Sequence, residues 1–393
     1  MTDPRVTGAV VIDLADIRGG DAERVGPKMA RLGQLAADGY RVPDGYAVTA
    51  AALDGWLPAA ARGELARLFS VPVAGGGPGA APGEPGERPE PGEHAELARL
   101  AREARALIEA QPLPSRLAAA VADAHARLAD RTGRGAALRL AVRSSAVSED
   151  GRAASFAGQY ETYLGVSGVD DVLSCIRRCW SSGFSAHALA YRRRFGGASP
   201  LRVHDLAVGV LELVDARSAG VAFTLDPITG DRSTLVVEGN WGLGESVVSG
   251  HVTPDHWTVD RASGRVLTAR AGVKRAWTAY NPATGRAELS PLPDELAGRA
   301  CLTEDEVRYI CAQAVAIETA AGGVPQDVEW AVARDLPFSD SVFFLQHRPE
   351  TTWGGGATAA QQGPAPGPEE PTAAPAFDPV QYALRNVFKV PKK

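Results

Sequence analysis

Hydrophobic and polar positions follow two regimes along the chain. Up to about Pro200 the pattern is mainly helical. Gly8 to Leu14 (GAVVIDL) reads as a strand, Lys28 to Asp38 as a helix stopped by Gly39, and Tyr40 to Ala50 as a turn and short strand. Apolar residues at helical spacing fill Ala95 to Gln111, Ser115 to Arg131 and Val169 to Phe195. Ala137 to Val142 reads as a strand opening into Arg143-Ser144-Ser145. After Pro200 the texture turns to strands: Leu206 to Val214, Gly220 to Leu225, Thr234 to Trp241, His256 to Arg261 and Arg265 to Ala269. A helix over Glu304 to Ala321 carries a capping box of Thr303 and Glu306, and two strands, Val328 to Arg334 and Val342 to Arg348, flank a polar turn.

This pattern divides the chain into a first lobe at 1–198, with a Gly/Pro/Ala/Glu-rich insertion at 71–93 expected to be disordered, and a second at 199–352. A Pro/Ala/Gly-rich linker (353–376) and a short terminal segment (377–393) follow. Across 393 residues, 45% hydrophobic and 22% charged, the chain can bury a large core. The sequence shows no run of about 18 apolar residues and no basic-apolar leader, so the expected location is the cytoplasm, with no membrane association. A formal charge of -6 supplies no global attraction for nucleic acid. Phosphate chemistry would therefore need a local site.

Nearly all positive charge is arginine; the lysines are Lys28, Lys274, Lys389, Lys392 and Lys393. Lys28 opens a helix behind Gly26-Pro27, where free N–H groups and the dipole favour an anion; a solvent lysine is the alternative. Arg143-Ser144-Ser145 has similar logic, against pairing of Arg143 with Glu149 or Asp150. The richest pattern is the last pair of strands. Asp327 and Glu329 share one strand face, and Gln346 and Arg348 share a face of the next. Two carboxylates and an amide oxygen suit Mg²⁺, and the arginine suits a phosphate. The competing reading is a solvated hairpin with ordinary cross-strand pairs, the opposite face being buried through Val328, Trp330, Val332, Phe343 and Leu345. Cys175, Cys179, Cys301 and Cys311 lack metal or CxxC spacing and read as buried thiols. HExxH, GxSxG and P-loop patterns are absent.

Five ordered stretches, GPKMARLGQLAADGYRVPDGYAVT, LAVRSSAVSEDGRAASFAGQYETYLGV, SAGVAFTLDPITG, VVEGNWGLGESVVSGHVTPDHW and QDVEWAV with FFLQHRPET, together resemble the ATP-binding domain shared by phosphoenolpyruvate synthase, pyruvate phosphate dikinase and rifampin phosphotransferase. The resemblance runs from about Asp13 to Thr352. It implies an α+β, ATP-grasp fold of two lobes closing on ATP. It places Lys28 and Arg143 at the triphosphate, and Ser155, Phe156, Ala157 and Gly158 in a loop over the phosphates. Glu329 and Gln346 become metal-site residues, with Asp327 and Arg348 at the reacting phosphates. Leu211, Glu212, Leu213 and Val214 fall near adenine, where backbone groups can read the base edge, and Gly242, Gly244 and Glu245 shape the cleft wall. Pro27 stands where the family has a second glycine, and Leu211 where it often has Gln.

In full-length relatives the phosphate passes to a histidine on a swivelling domain, within a Gly-rich motif absent from this sequence. The expected arrangement is an ATP-binding subunit of a split phosphotransferase, using ATP and Mg²⁺. A separate phosphohistidine-domain subunit would be its partner and a small molecule the final acceptor, with AMP and phosphate as co-products. An ATP-grasp kinase or ligase acting directly on a small molecule, a non-catalytic nucleotide-binding subunit, and a piece of a longer enzyme are the alternatives. The terminal YALRNVFKV segment reads either as a partner-docking segment or as a frayed tail.

Overall fold

The computed structural model describes residues 9–53, 56–70, 91–147, 161–186, 189, 206–248, 250, 252–281, 283–350 and 352–353. The loop residues Ser155 to Gly158, the terminal segment 377–393 and most of the expected insertion lie outside them. Two compact units emerge. One holds the residues up to Leu213 together with Tyr280–Ala287; the other holds Val214–Ala279 and the residues from Glu288 onward. Each combines an antiparallel sheet with helices, an α+β organisation.

In the first unit the strands β1 (Val11–Asp13), β2 (Gly45–Val48), β3 (Leu140–Ala146), β4 (Thr162–Val166) and β5 (Leu206–Glu212) form a sheet in the order β1-β2-β5-β3-β4. Tyr46, Val48, Val142, Val208 and Val210 point to one face. There they join a core with residues of α3 (Ala59–Ser70), α4 (Pro91–Glu109), α5 (Ser115–Thr132) and α6 (Val169–Ser182), following α1 (Ala22–Ala37) and α2 (Ala50–Leu53) in the chain. Helix α1 lies against β3 and β5. A Cβ on Gly209 of β5 would run into the Met29 side chain, which places α1 on the opposite face.

Three differences from the sequence pattern stand out here. Strand β5, expected among the strands of the second lobe, is the middle strand of the first sheet, pairing with both β2 and β3. Its six successive buried positions from Leu206 to Leu211 explain its placement: both faces are covered. Strand β3 extends through Arg143-Ser144-Ser145 to Ala146, so these residues belong to the strand and not to a loop after it. Helix α6 ends at Ser182, short of the expected Phe195, with Gly183 as its C-cap.

The second unit contains β6 (Ala216–Phe223), β7 (Thr234–Trp241), β8 (Asp255–Asp260), β9 (Val266–Arg270), β12 (Gln326–Ala333) and β13 (Val342–Pro349) in the order β13-β12-β6-β7-β8-β9. The β10 (Ala276–Asn281) and β11 (Arg286–Pro291) hairpin was not foreshadowed by the strand pattern. Short helices α7 (Glu245–Val248) and α8 (Asp294–Ala297) precede α9 (Glu304–Ala320), which packs across the main sheet. The capping box forms as the spacing predicts: Thr303 Oγ1 accepts from Glu306 N, and Glu306 Oε2 accepts from Thr303 N.

Under α9, Trp330 is fully buried over Gly220 and Gly239. A Cβ on Gly239 would lie 2.8 Å from Trp330 Cη2, so glycine lets the indole lie flat on the neighbouring strands. This fixes which side of β12 is core, and sends Asp327 and Glu329 to the other side. All four cysteines are buried, and burial raises each thiol, Cys175 to about 11 and Cys311 to about 12. They behave as packing groups.

Candidate functional site

The β12–β13 ladder sets Asp327 opposite Arg348 and Glu329 opposite Gln346. The four side chains therefore share one face, as their spacing predicts. Beyond Glu329 the register shifts: Trp330 pairs with Phe344, leaving Leu345 as the extra residue of a bulge. The bulge corrects one expectation. Phe344 is buried at 1%, while Phe343 and Leu345 are only partly buried, because the extra residue reverses the alternation along β13. The polar face is also less open than a solvated hairpin, since Asp327 and Gln346 are 8% and 7% exposed.

Arg348 Nε donates to Asp327 Oδ2 at 3.1 Å. Asp327 Oδ1 is buried with no hydrogen-bond partner among the described residues. Burial pushes the Asp327 carboxyl up to about 6, although the Arg348 charge opposes this. An arginine-oriented carboxylate with an unsatisfied oxygen is an acceptor prepared for a ligand or cation.

The same face continues across the sheet. Successive ladder partners form one row: Gln346, Glu329, Val221, Glu238 and His256, then Arg270 on the edge strand. Glu238 is 6% exposed, and its Oε1 lies 3.3 Å from His256 Nδ1. Neither Glu238 nor His256 was singled out from sequence. The signal was a lone carboxylate within the apolar strand Thr234–Trp241, in phase with the strand period. Nearby, Gly242 and Gly244 form the turn from β7 into α7, with Gly244 beside Ala219 of β6. Glu245 is exposed at the first position of α7, and Asn240 braces the turn through Ser246 Oγ and Ala276 O, both at 3.0 Å.

In the first unit, α1 breaks at Gly26, whose φ of 74° and ψ of 159° are not helical. Pro27 then begins the main helical segment and Lys28 sits in its first turn, partly buried. A Cβ on Gly26 would overlap the Ser145 Oγ and carbonyl oxygen, so this glycine brings the helix start directly onto β3. Arg143, two residues from Ser145, faces the same side of the sheet, which places both sequence-predicted cations of this unit on the α1 side.

Leu211 and Glu212 close β5, followed by Leu213 and Val214. The Glu212 amide donates to Asp44 O at 2.7 Å and the Leu213 amide to Arg139 O at 2.8 Å. Two of the four amides expected near adenine are thus engaged within the unit. Leu211 is 3% exposed and belongs to the core, and Glu212 accepts from Arg134 Nε at 3.1 Å.

Among the described residues no group of three or more His, Cys, Asp and Glu side chains could hold a metal ion by itself. Glu329 and Gln346 nevertheless form a hard-oxygen pair beside the unsatisfied Asp327 Oδ1. That donor set fits Mg²⁺, which commonly takes one or two protein oxygens and completes its shell with phosphate oxygens and water.

The profile of the "Pyruvate phosphate dikinase, AMP/ATP-binding domain" family matches residues 22–366. The chain belongs to this family. It is 34% identical over 363 residues to a probable phosphoenolpyruvate synthase of Staphylothermus marinus, covering 87% of this chain and 41% of that protein. It is 37% identical over 349 residues to a rifampicin phosphotransferase of a Streptomyces species, covering 88% of this chain and 36% of the relative. A prodigiosin synthesizing transferase, PigC, of Serratia marcescens matches at 34% over 343 residues, covering 87% and 33%. The chain thus spans less than half the length of these relatives. Among the described residues no helix is long and apolar enough to cross a membrane.

Proposed function

We propose that this domain binds Mg-ATP and transfers its β-phosphoryl group to a histidine on a separate phosphohistidine domain, the γ-phosphoryl group passing to water, so that AMP and phosphate are released within a phosphoenolpyruvate-synthase-like reaction. The observation that carries this reading is the polar row of the second unit, with Glu329 opposite Gln346 and Asp327 Oδ1 unsatisfied beside them. The names of the relatives, two of them phosphotransferases or synthases of phosphorylated products, support it. In this reading the fold is an ATP-grasp, the site is reached from the cytoplasm, and the final acceptor is a small molecule.

Glu329 and Gln346 would hold Mg²⁺, which supplies neutralisation of phosphate charge. Arg348 presents its guanidinium to a phosphoryl oxygen, and Asp327 holds that guanidinium in place from across the ladder. Lys28 and Arg143 offer positive charge to the remaining phosphate oxygens, Lys28 with the help of its helix start. Glu238 offers a carboxylate to the hydroxyls of the nucleotide sugar. Catalysis on this plan is positioning and charge stabilisation.

Three histidines among the described residues support an acceptor elsewhere. His347 Nδ1 lies 2.9 Å from Gln326 Oε1 on the face opposite Asp327, and His256 is held by Glu238. His125 is on α5 in the first unit. The test is incubation with Mg²⁺ and ATP labelled at the β or γ position, together with a protein carrying a swivelling-histidine domain. AMP, γ-derived phosphate and acid-labile β-label on that protein are expected. ADP as the sole nucleotide product would instead establish a kinase acting directly on its substrate.

A further inference from the structure

Glu238 is buried in the middle of a sheet, and a glutamate with three side-chain torsions does not by itself hold its carboxylate in one plane. Its ladder neighbour on one side, Val221, has no polar side-chain atom; its neighbour on the other, His256, places Nδ1 at 3.3 Å from Oε1. His256 is 25% exposed at its side chain and Glu238 8%. In the tautomer that carries its proton on Nδ1, His256 donates to this carboxylate oxygen. Glu238 stands two strands from Glu329 in the same row, a separation of about 10 Å at ordinary strand spacing. That is comparable to the span from metal-bound phosphates to the sugar of an extended nucleoside triphosphate.

We propose that His256 is a positioning residue for sugar recognition: it fixes the Glu238 carboxylate so that a ribose hydroxyl donates to it, and thereby sets the preference for ribonucleotides over deoxyribonucleotides. This rests on the nucleotide-site reading above. A site arranged to accept a hydroxyl proton rejects an analogue lacking that hydroxyl, because the buried acceptor is left without its donor. An unanchored Glu238 would turn toward water and lose that selectivity while the phosphate contacts persist.

The experiment is calorimetric titration of the whole chain, with Mg²⁺, using ATP, 2′-deoxy-ATP and 3′-deoxy-ATP. The unmodified protein is expected to prefer ATP over at least one deoxy analogue by about tenfold, the value of one hydrogen bond to a charged group. His256→Leu is expected to bring ATP down to the affinity of that analogue, with the analogue's own affinity changed by less than about twofold and the thermal midpoint retained. Glu238→Gln should do the same, and the double variant should lose no more than either single one. His256→Gln, which keeps a neutral donor, should recover most of the preference. Equal weakening of ATP and deoxy-ATP in His256→Leu, an unchanged ratio, or no preference in the unmodified protein would each overturn the assignment. Absence of any ATP binding by the unmodified protein would instead remove the nucleotide-site reading itself, which separates the two failures.

Discussion

Asp327 and Arg348 face each other across one rung of the β12–β13 ladder, joined at 3.1 Å, yet the carboxyl is held at about 6 and not below its ordinary 3.8. Burial therefore outweighs a neighbouring cation. The folded protein binds this proton more tightly than the unfolded chain does. The stability it contributes is fully present below 3.8 and is lost as pH rises through about 6. Asp327→Asn should remove this slope and raise the stability of the nucleotide-free protein at pH 7.5 by up to about 3 kcal/mol, while abolishing phosphoryl transfer. Urea unfolding of both proteins from pH 4 to 7.5 checks the first part; a mutant curve parallel to that of the parent would refute it.

The metal assignment predicts a different signature at the adjacent rung. Glu329→Ala and Gln346→Ala should each weaken Mg²⁺-dependent ATP binding by at least about tenfold, by analogy with the loss of groups that support metal sites. Binding measured in excess EDTA should change little. Normal turnover in Glu329→Ala would rule out its role as a ligand.

Away from the site, Lys274 and Asp255 form an ion pair with both side chains fully buried. Lys274 Nζ also donates to Arg299 O at 2.6 Å, and Asp255 accepts from the amides of Gly272 and Cys301, both at 2.7 Å. Lys274→Met should cost about 3 kcal/mol, since it leaves a buried carboxylate that keeps two donors. Asp255→Ala should cost more, because it strands a buried ammonium and two amides together. Equal losses in denaturant titrations would show that the amide bonds contribute nothing.

Gly26 supplies a fourth test. Alanine there meets both a positive φ and the Ser145 atoms behind it, so Gly26→Ala should destabilise the protein by about 1–3 kcal/mol and displace Lys28. ATP affinity should fall with stability. Adding Ser145→Ala should restore only part of either, because the Ser145 carbonyl still obstructs the new methyl group.

Much of this was legible in the chain, for reasons that particular residues make plain. The strand period alone put Asp327 and Glu329 on one face of their strand and Gln346 and Arg348 on one face of theirs, and antiparallel pairing then made them opposite numbers on a shared face. The capping box at Thr303 marked the start of α9. The helix start at Pro27-Lys28 was visible from its glycine and proline. Less visible was anything set by contacts distant in sequence. The continuous apolar run of β5 suits either sheet, and only its pairing with β2 and β3 decides between them. The bulge at Leu345 is a register event between two strands and leaves no mark in either alone. Glu238 and His256 stand eighteen residues apart, and only the β7–β8 register makes them neighbours.

Because Gln346, Glu329, Glu238 and His256 occupy consecutive or alternate strands of one ladder row, their spacing is ruled by the peptide hydrogen bonds between strands and not by the side chains themselves. The sheet acts as a measuring scale with a step of about 4.8 Å. Substitution can change what each mark on that scale does, but not where it lies. On the nucleotide reading proposed above, selectivity would diverge through single side chains while the backbone keeps the distance between the phosphate and sugar positions.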